Sequence, residues 1–217
     1  MEQEGTLTRA HLKTPRAAAV AGIVFSFLLI ISLVLIRMSV PADPQDAGKW
    51  LSGSWKTVNL ALNLLPFAGI AFLWFIGVLR DRMGAYEDRF FATVFLGSGL
   101  LYLAMLFASS AVAGGILRVY GATPGKVMES GIYAFGRAVT YQIMNVYAVK
   151  MAGVFMISTC TLSIRTGIFP RWMAFFGYAL ALLLLLSTGY FYWVPLVFPL
   201  WVLVVSCYIL FAGQRGK

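Results

Sequence analysis

One lysine in the middle of an apolar stretch is the side chain whose position most needs a chemical explanation. Lys150 lies 13 residues after Arg137 and 15 before Arg165, which places it about 20 Å from each along a helix. At that depth in a membrane a lysine costs roughly 2.5 to 3.5 kcal/mol unless it meets water, a partner or an anion. Two interpretations follow. Lys150 either extends to the outer surface of the membrane or lies in a water-accessible cavity.

Four polar residues precede Lys150 in the same stretch, and they share one side of a helix. At about 100° per residue they fall within an arc of about 140°, and Lys150 lies about 80° beyond the last residue of that arc. The four residues are Arg137, Tyr141, Gln142 and Asn145.

An earlier apolar stretch contributes Asn59 and Asn63, which share a helix face because they are four residues apart. We predict that these groups form an outward-facing vestibule for a polar or anionic ligand, small or lipidic. Replacing Lys150 by Met is then expected to abolish binding. The alternative is that the polar side chains only hydrogen-bond helices to each other. The predicted ligand-binding residues are Lys150, Asn145, Gln142, Arg137, Asn59 and Asn63.

The reactive groups that most enzymes need are missing from the apolar stretches. The single histidine, His11, lies in the polar N-terminal tail, which excludes a histidine base within a bundle and an H-E-x-x-H zinc site. The sequence has no P-loop motif, and no Asp or Glu falls within a predicted crossing. We therefore expect no enzyme activity, no catalytic residue, no metal site and no cofactor.

The composition predicts a membrane protein. Hydrophobic residues make up 60% of the chain, charged residues only 12%, and the mean hydropathy is +0.83, whereas soluble chains are roughly 45–50% apolar and about 25% charged. The fold class predicted is all-α, a polytopic membrane helical bundle. The net charge of +9 comes from residues at the ends of apolar runs, which favours a topology signal and contact with anionic lipid over nucleic acid.

Six transmembrane helices are predicted, in a domain that covers residues 17–212 between polar tails at 1–16 and 213–217. Ten Lys and Arg residues lie at the predicted inner ends and six at the outer ends, which places both termini in the cytoplasm. The predicted helices are about 17–36, 57–79, 90–117, 134–164, 172–189 and 194–211.

The connection at residues 80–89 concentrates six charges in ten residues. Its arginines fit a cytoplasmic loop, but its acids are not needed for topology. We interpret it as a clasp of opposite charges that fixes how helices two and three meet, with a docking surface for a partner protein or anionic lipid as the alternative. The clasp residues are Arg80, Asp81, Arg82, Glu87, Asp88 and Arg89.

Two regions resemble segments of uncharacterised bacterial multi-pass membrane proteins, a family of the domain-of-unknown-function type. They are the residues 77–82 (GVLRDR) with 87–93 (EDRFFAT), and the turn at 167–172 (GIFPRW). The resemblance implies a location in the bacterial cytoplasmic membrane and implies no reaction.

Together these features predict an integral membrane protein that binds or passively moves its ligand through the vestibule, with membrane lipids as partners. The alternative is a non-catalytic scaffold or accessory subunit that packs against a partner membrane protein or a second copy of itself. A cavity joining Asn63, Asn145 and Lys150 favours ligand binding, whereas a dry bundle with an exposed stripe of small residues favours the subunit.

Overall fold

The computed structural model describes the backbone of residues 14–41, 48–83, 89–123, 131–187 and 193–215. Within these ranges the chain forms six helices, and the predicted all-α helical bundle is confirmed. A short 3₁₀ turn, Val194–Leu196, precedes the last helix. The helices are α1 (Thr14–Ser39), α2 (Trp50–Met83), α3 (Arg89–Ala122), α4 (Ile132–Thr166), α5 (Arg171–Leu186) and α6 (Val197–Arg215).

Five of these helices are long and apolar enough to cross a membrane, which is the architecture of a multi-pass integral membrane protein. The exception is α5, which has 16 residues and measures about 24 Å at 1.5 Å per residue. This is shorter than a hydrocarbon core of roughly 30 Å. The C-terminal carbonyls of α5 therefore need polar partners of their own.

The long helices extend beyond the predicted crossings. Helix α2 begins at Trp50 instead of 57 and α3 continues to Ala122 instead of 117. Each contains 34 residues, or about 51 Å of helix. Hydropathy detects only the part of a helix that lies in hydrocarbon, whereas the backbone continues as helix into the polar interface. Pro66 lies inside α2 without ending it.

The predicted clasp lies mostly outside the described residues. Arg80 belongs to α2 and is exposed, and the backbone of Asp81 and Arg82 continues that helix. Arg89 is the first residue of α3. Glu87 and Asp88 fall in the range 84–88, outside the part that the structure describes.

Aromatic rings form the centre of the bundle and join five of its helices. Phe72 of α2 lies at their crossing point, with its ring 4.6 Å from that of Phe25, 5.3 Å from Phe155 and 5.6 Å from Phe198. Offset and edge-to-face contacts of this kind add about 0.5 to 1.5 kcal/mol each beyond burial. The buried rings of this central cluster are Phe25, Phe72, Phe75, Phe95, Tyr102, Phe155, Phe198 and Trp201.

Helices α1 and α6 approach closely at Gly22. A Cβ atom at this position would collide with the Ser206 hydroxyl of α6 and would lie 2.8 Å from the Phe75 ring of α2. The missing side chain therefore allows three helices to meet.

Replacing Gly22 by Ile is expected to force these helices apart and to lower the melting temperature of the purified protein, because overpacking a core costs about 1 to 3 kcal/mol. Gly77→Ile is the matched control, since no atom lies within 4 Å of its added Cβ. Equal melting temperatures for the two variants would contradict the packing described here.

Candidate functional site

A cavity of about 670 Å³ lies at one end of the bundle. Its walls come from the C-terminal end of α1, the N-terminal parts of α2 and α4, and the C-terminal half of α3. Since consecutive helices run in opposite directions, these four segments lie at the same end. The inner wall is apolar, formed by Leu33, Ile36, Val58, Leu62, Leu65, Leu106, Ile116 and Met144.

The polar wall of the cavity centres on a hydrogen bond between α1 and α4. Arg37, in the last turn of α1, donates from Nη2 to Asn145 Oδ1 over 2.9 Å. The Asn145 Nδ2 group donates to the carbonyl of Tyr141 over 3.1 Å, so the two bonds together fix the orientation of the amide. Asn145 is 8% exposed. The Asn145 oxygen is therefore held toward the guanidinium of α1.

A second arginine closes the outer edge of the cavity. Arg137 donates from Nη2 to the carbonyl of Pro41 over 2.7 Å and from Nη1 to the Tyr133 hydroxyl over 3.4 Å. Trp50, the first residue of α2, donates to the same hydroxyl over 2.8 Å. Trp and Tyr prefer the headgroup level of a membrane. Side chains of α2 and α4 and the chain after α1 thus form a polar rim.

The middle of α4 departs from α-helical geometry at the level of the cavity. Residues Ile143–Ala148 form a π-helix, in which the backbone bonds five residues back instead of four. Met144 and Asn145 belong to this segment and line the cavity. π-segments of this kind often occur at functional sites. Here the irregular turn positions the Asn145 amide, whose oxygen accepts the hydrogen bond from Arg37.

Two further polar groups face the cavity from α3 and α4. Ser109 donates its hydroxyl to the carbonyl of Thr140 over 3.1 Å and holds the two helices together. The Thr140 hydroxyl is buried and, among the residues that the structure describes, has no hydrogen-bond partner. An unsatisfied hydroxyl in a cavity wall is a group that a bound polar molecule can satisfy.

The charge of the cavity favours an anionic ligand. Arg37 and Arg137 both line it, and none of its described lining residues carries a carboxylate. Guanidinium groups bind carboxylates and phosphates through two parallel hydrogen bonds. Gln142 and Asn145 add amides to the same wall. The arrangement suits a ligand with a negative head and an apolar body.

The structure divides the predicted ligand-binding residues among three places. Arg137, Gln142 and Asn145 line the cavity, as the helical wheel indicated. Asn59 and Asn63 instead line a separate cleft between α2 and α3. Lys150 lines neither opening.

Lys150 binds the end of a neighbouring helix. Its ammonium donates to the carbonyl of Leu185 over 2.7 Å and to that of Ser187 over 3.1 Å. These carbonyls end α5, where a helix has no backbone donors of its own and carries partial negative charge. Lys150 thus supplies two donors to carbonyls at the C-terminal end of α5.

Arg37, Tyr133 and Thr140 are residues of this site that the sequence did not reveal. Arg37 is the first charge after an apolar run, and in a sequence such a charge indicates only membrane topology. One feature of the sequence does point to Arg37. Arg37 and Arg137 both fall at the predicted outer end of their helices, and so they are expected at the same depth in the membrane.

Replacing Lys150 by Met is expected to destabilise the protein and to leave the cavity intact, contrary to the expectation from the sequence. Each carbonyl that loses its donor costs about 1 to 3 kcal/mol, so the melting temperature should fall and amide hydrogen exchange at the end of α5 should accelerate. Lys150→Arg, which keeps the charge, serves as the control. A Met variant as stable as the wild type would contradict the helix-capping role.

No protein-family model, curated protein or solved structure matches this chain. The resemblance to bacterial multi-pass proteins therefore stays a prediction, and the interpretation of the site rests on its geometry.

Proposed function

We propose that this membrane protein binds an amphiphile with an anionic headgroup, such as an anionic phospholipid, in the cavity between α1, α2, α3 and α4. The observation that carries the proposal is the pair of arginines, Arg37 and Arg137, at the rim of an otherwise largely apolar cavity. The headgroup would contact the guanidinium groups and the Thr140 hydroxyl.

The apolar part of the cavity supports a lipidic ligand over a small polar anion. Leucine and methionine side chains from all four helices line the inner wall, and burying hydrocarbon there contributes about 0.8 kcal/mol for each CH₂ group. The volume of about 670 Å³ falls within the range of roughly 300 to 1,000 Å³ that is usual for ligand pockets. It accommodates a headgroup and the adjoining part of an acyl chain.

The distribution of charge supports an outward-facing cavity. The excess of Lys and Arg at the predicted inner ends favours an orientation in which the cavity opens to the outer side, and the proposal takes the membrane to be a bacterial cytoplasmic membrane. In this proposal the protein binds the lipid or lets it move passively. That the chain is not an enzyme stays a prediction.

An accessory subunit remains the second candidate, supported by the exposed aromatic residues of α5. Trp172, Phe175 and Phe176 are all more than half exposed, and they suit a partner membrane protein or a second copy. Membrane lipid can cover these aromatic side chains equally well, however. A role as an accessory subunit also does not explain why the cavity carries two arginines. Ligand binding therefore accounts for more of the structure.

Replacing Arg37 or Arg137 by Gln is expected to weaken the binding of phosphatidylglycerol by roughly tenfold to a hundredfold. A hydrogen bond to a charged group contributes about 1.5 to 3 kcal/mol, and 1.4 kcal/mol is about tenfold in Kd. Titration of the purified protein with phosphatidylglycerol, phosphatidylcholine and inorganic phosphate measures this effect. The wild type should prefer phosphatidylglycerol over both other probes.

The matched control is Arg171→Gln, which removes an exposed arginine at the start of α5, at the other end of the bundle. It should bind as the wild type does. Arg37→Lys and Arg137→Lys separate loss of charge from loss of folding, since both keep the charge. Equal affinity of the wild type for phosphatidylglycerol and phosphatidylcholine would contradict the proposal, as would saturable binding of phosphate alone with the same affinity.

A further inference from the structure

A cleft of about 710 Å³ separates α2 from α3 beside the cavity. Asn59, Asn63, Ala111 and Gly115 on its walls are exposed, so the cleft opens to the surroundings of the bundle. Its α2 wall lies within the part of that helix that can cross a membrane. In a bilayer the cleft therefore faces lipid.

The cleft carries polar groups that lipid tails cannot satisfy. Within the described part of the chain, the side-chain amides of Asn59 and Asn63 make no hydrogen bond. Arg118, exposed near the C-terminal end of α3, and Trp55, near the N-terminal end of α2, lie at its outer edge. An arginine followed inward by two amides forms a line of donors that a lipid headgroup can contact in succession.

The cleft and the cavity are adjacent. Leu62 of α2 and Ser110 of α3 line both. The Ser110 hydroxyl donates to the carbonyl of Leu106 in its own helix over 2.7 Å, so it does not bond α3 to α2 at this point. Leu62 and Ser110 therefore face both spaces and form part of the wall between them.

Glycines keep the cleft open. Gly114 and Gly115 both line it, and a Cβ atom at either position would meet no atom within 4 Å. A side chain can therefore be added at either position without its Cβ colliding with the bundle, and it would extend into the cleft. Neither glycine lines the cavity.

We propose that this cleft is a lateral portal through which the amphiphile passes between the outer leaflet and the cavity. The headgroup moves inward along Arg118, Asn59 and Asn63, and the chain passes between Leu62 and Ser110. The proposal rests on the proposed function, because a portal has a use only if the cavity binds a lipid.

A portal affects the rates at which the ligand enters and leaves the cavity, but it does not change the Kd. A change in both rates at constant Kd therefore distinguishes a portal from a binding site. Gly114→Leu and Gly115→Leu should slow both the association and the dissociation of a fluorescent phosphatidylglycerol by about tenfold, with the same Kd as the wild type. Stopped-flow measurements on the protein in lipid nanodiscs give the two rates, and an equilibrium titration gives the Kd. Ala111→Leu fills the cleft from another position and should have the same effect.

Gly97→Leu is the matched control, because Gly97 also lies in α3, has no atom within 4 Å of an added Cβ, and lines neither opening. Saturable binding by the wild type with rates in the cleft variants equal to those of Gly97→Leu overturns the portal and leaves the proposed function standing. No saturable binding by the wild type overturns both. Loss of a dimer in the cleft variants assigns the cleft to a second copy of the chain and overturns the portal.

Discussion

The hydrogen bond from Arg37 to Asn145 joins the last turn of α1 to the π-segment in the middle of α4. A charged group that is withdrawn from water has to find its partners within the protein or in a ligand. The bond brings one cation to the wall of the cavity, and the contact of Arg137 with Pro41 brings a second. The cavity depends on these two anchors for its charge and for the spacing of α1 and α4.

The same constraint explains the position of Lys150. Helix α5 is shorter than a hydrocarbon core is thick, and the carbonyls of its last turn have no backbone donors within the helix. An ammonium on α4 supplies them. Burying an ammonium and leaving helix-end carbonyls without donors would each be unfavourable alone. Together they are tolerated, because the ammonium and the carbonyls are hydrogen-bond partners. Two cations thus lie in the wall of the cavity, and a third caps the C-terminal end of α5.

The sequence predicted the helical bundle well, because apolar length and composition determine it directly. It also placed Arg137, Gln142 and Asn145 together, since the first two precede the π-segment and Asn145 lies near its start, where the change in rotation is still small. It did not predict the direction in which Lys150 projects from α4, because a π turn changes the rotation of every later residue relative to the earlier ones. Asn59 and Asn63 share a face as predicted, but periodicity does not say which neighbouring helix that face meets. The role of Arg37 is not evident from the sequence, because a charge at the end of an apolar helix indicates only membrane topology.

The most direct measurement of the central claim is native mass spectrometry of the protein extracted gently from its membrane, combined with analysis of the lipids that copurify. The account predicts a bound anionic phospholipid at a higher proportion than in the surrounding membrane, because the two arginines select its headgroup. Protein without bound lipid, or lipid in the proportions of the bulk membrane, would contradict it.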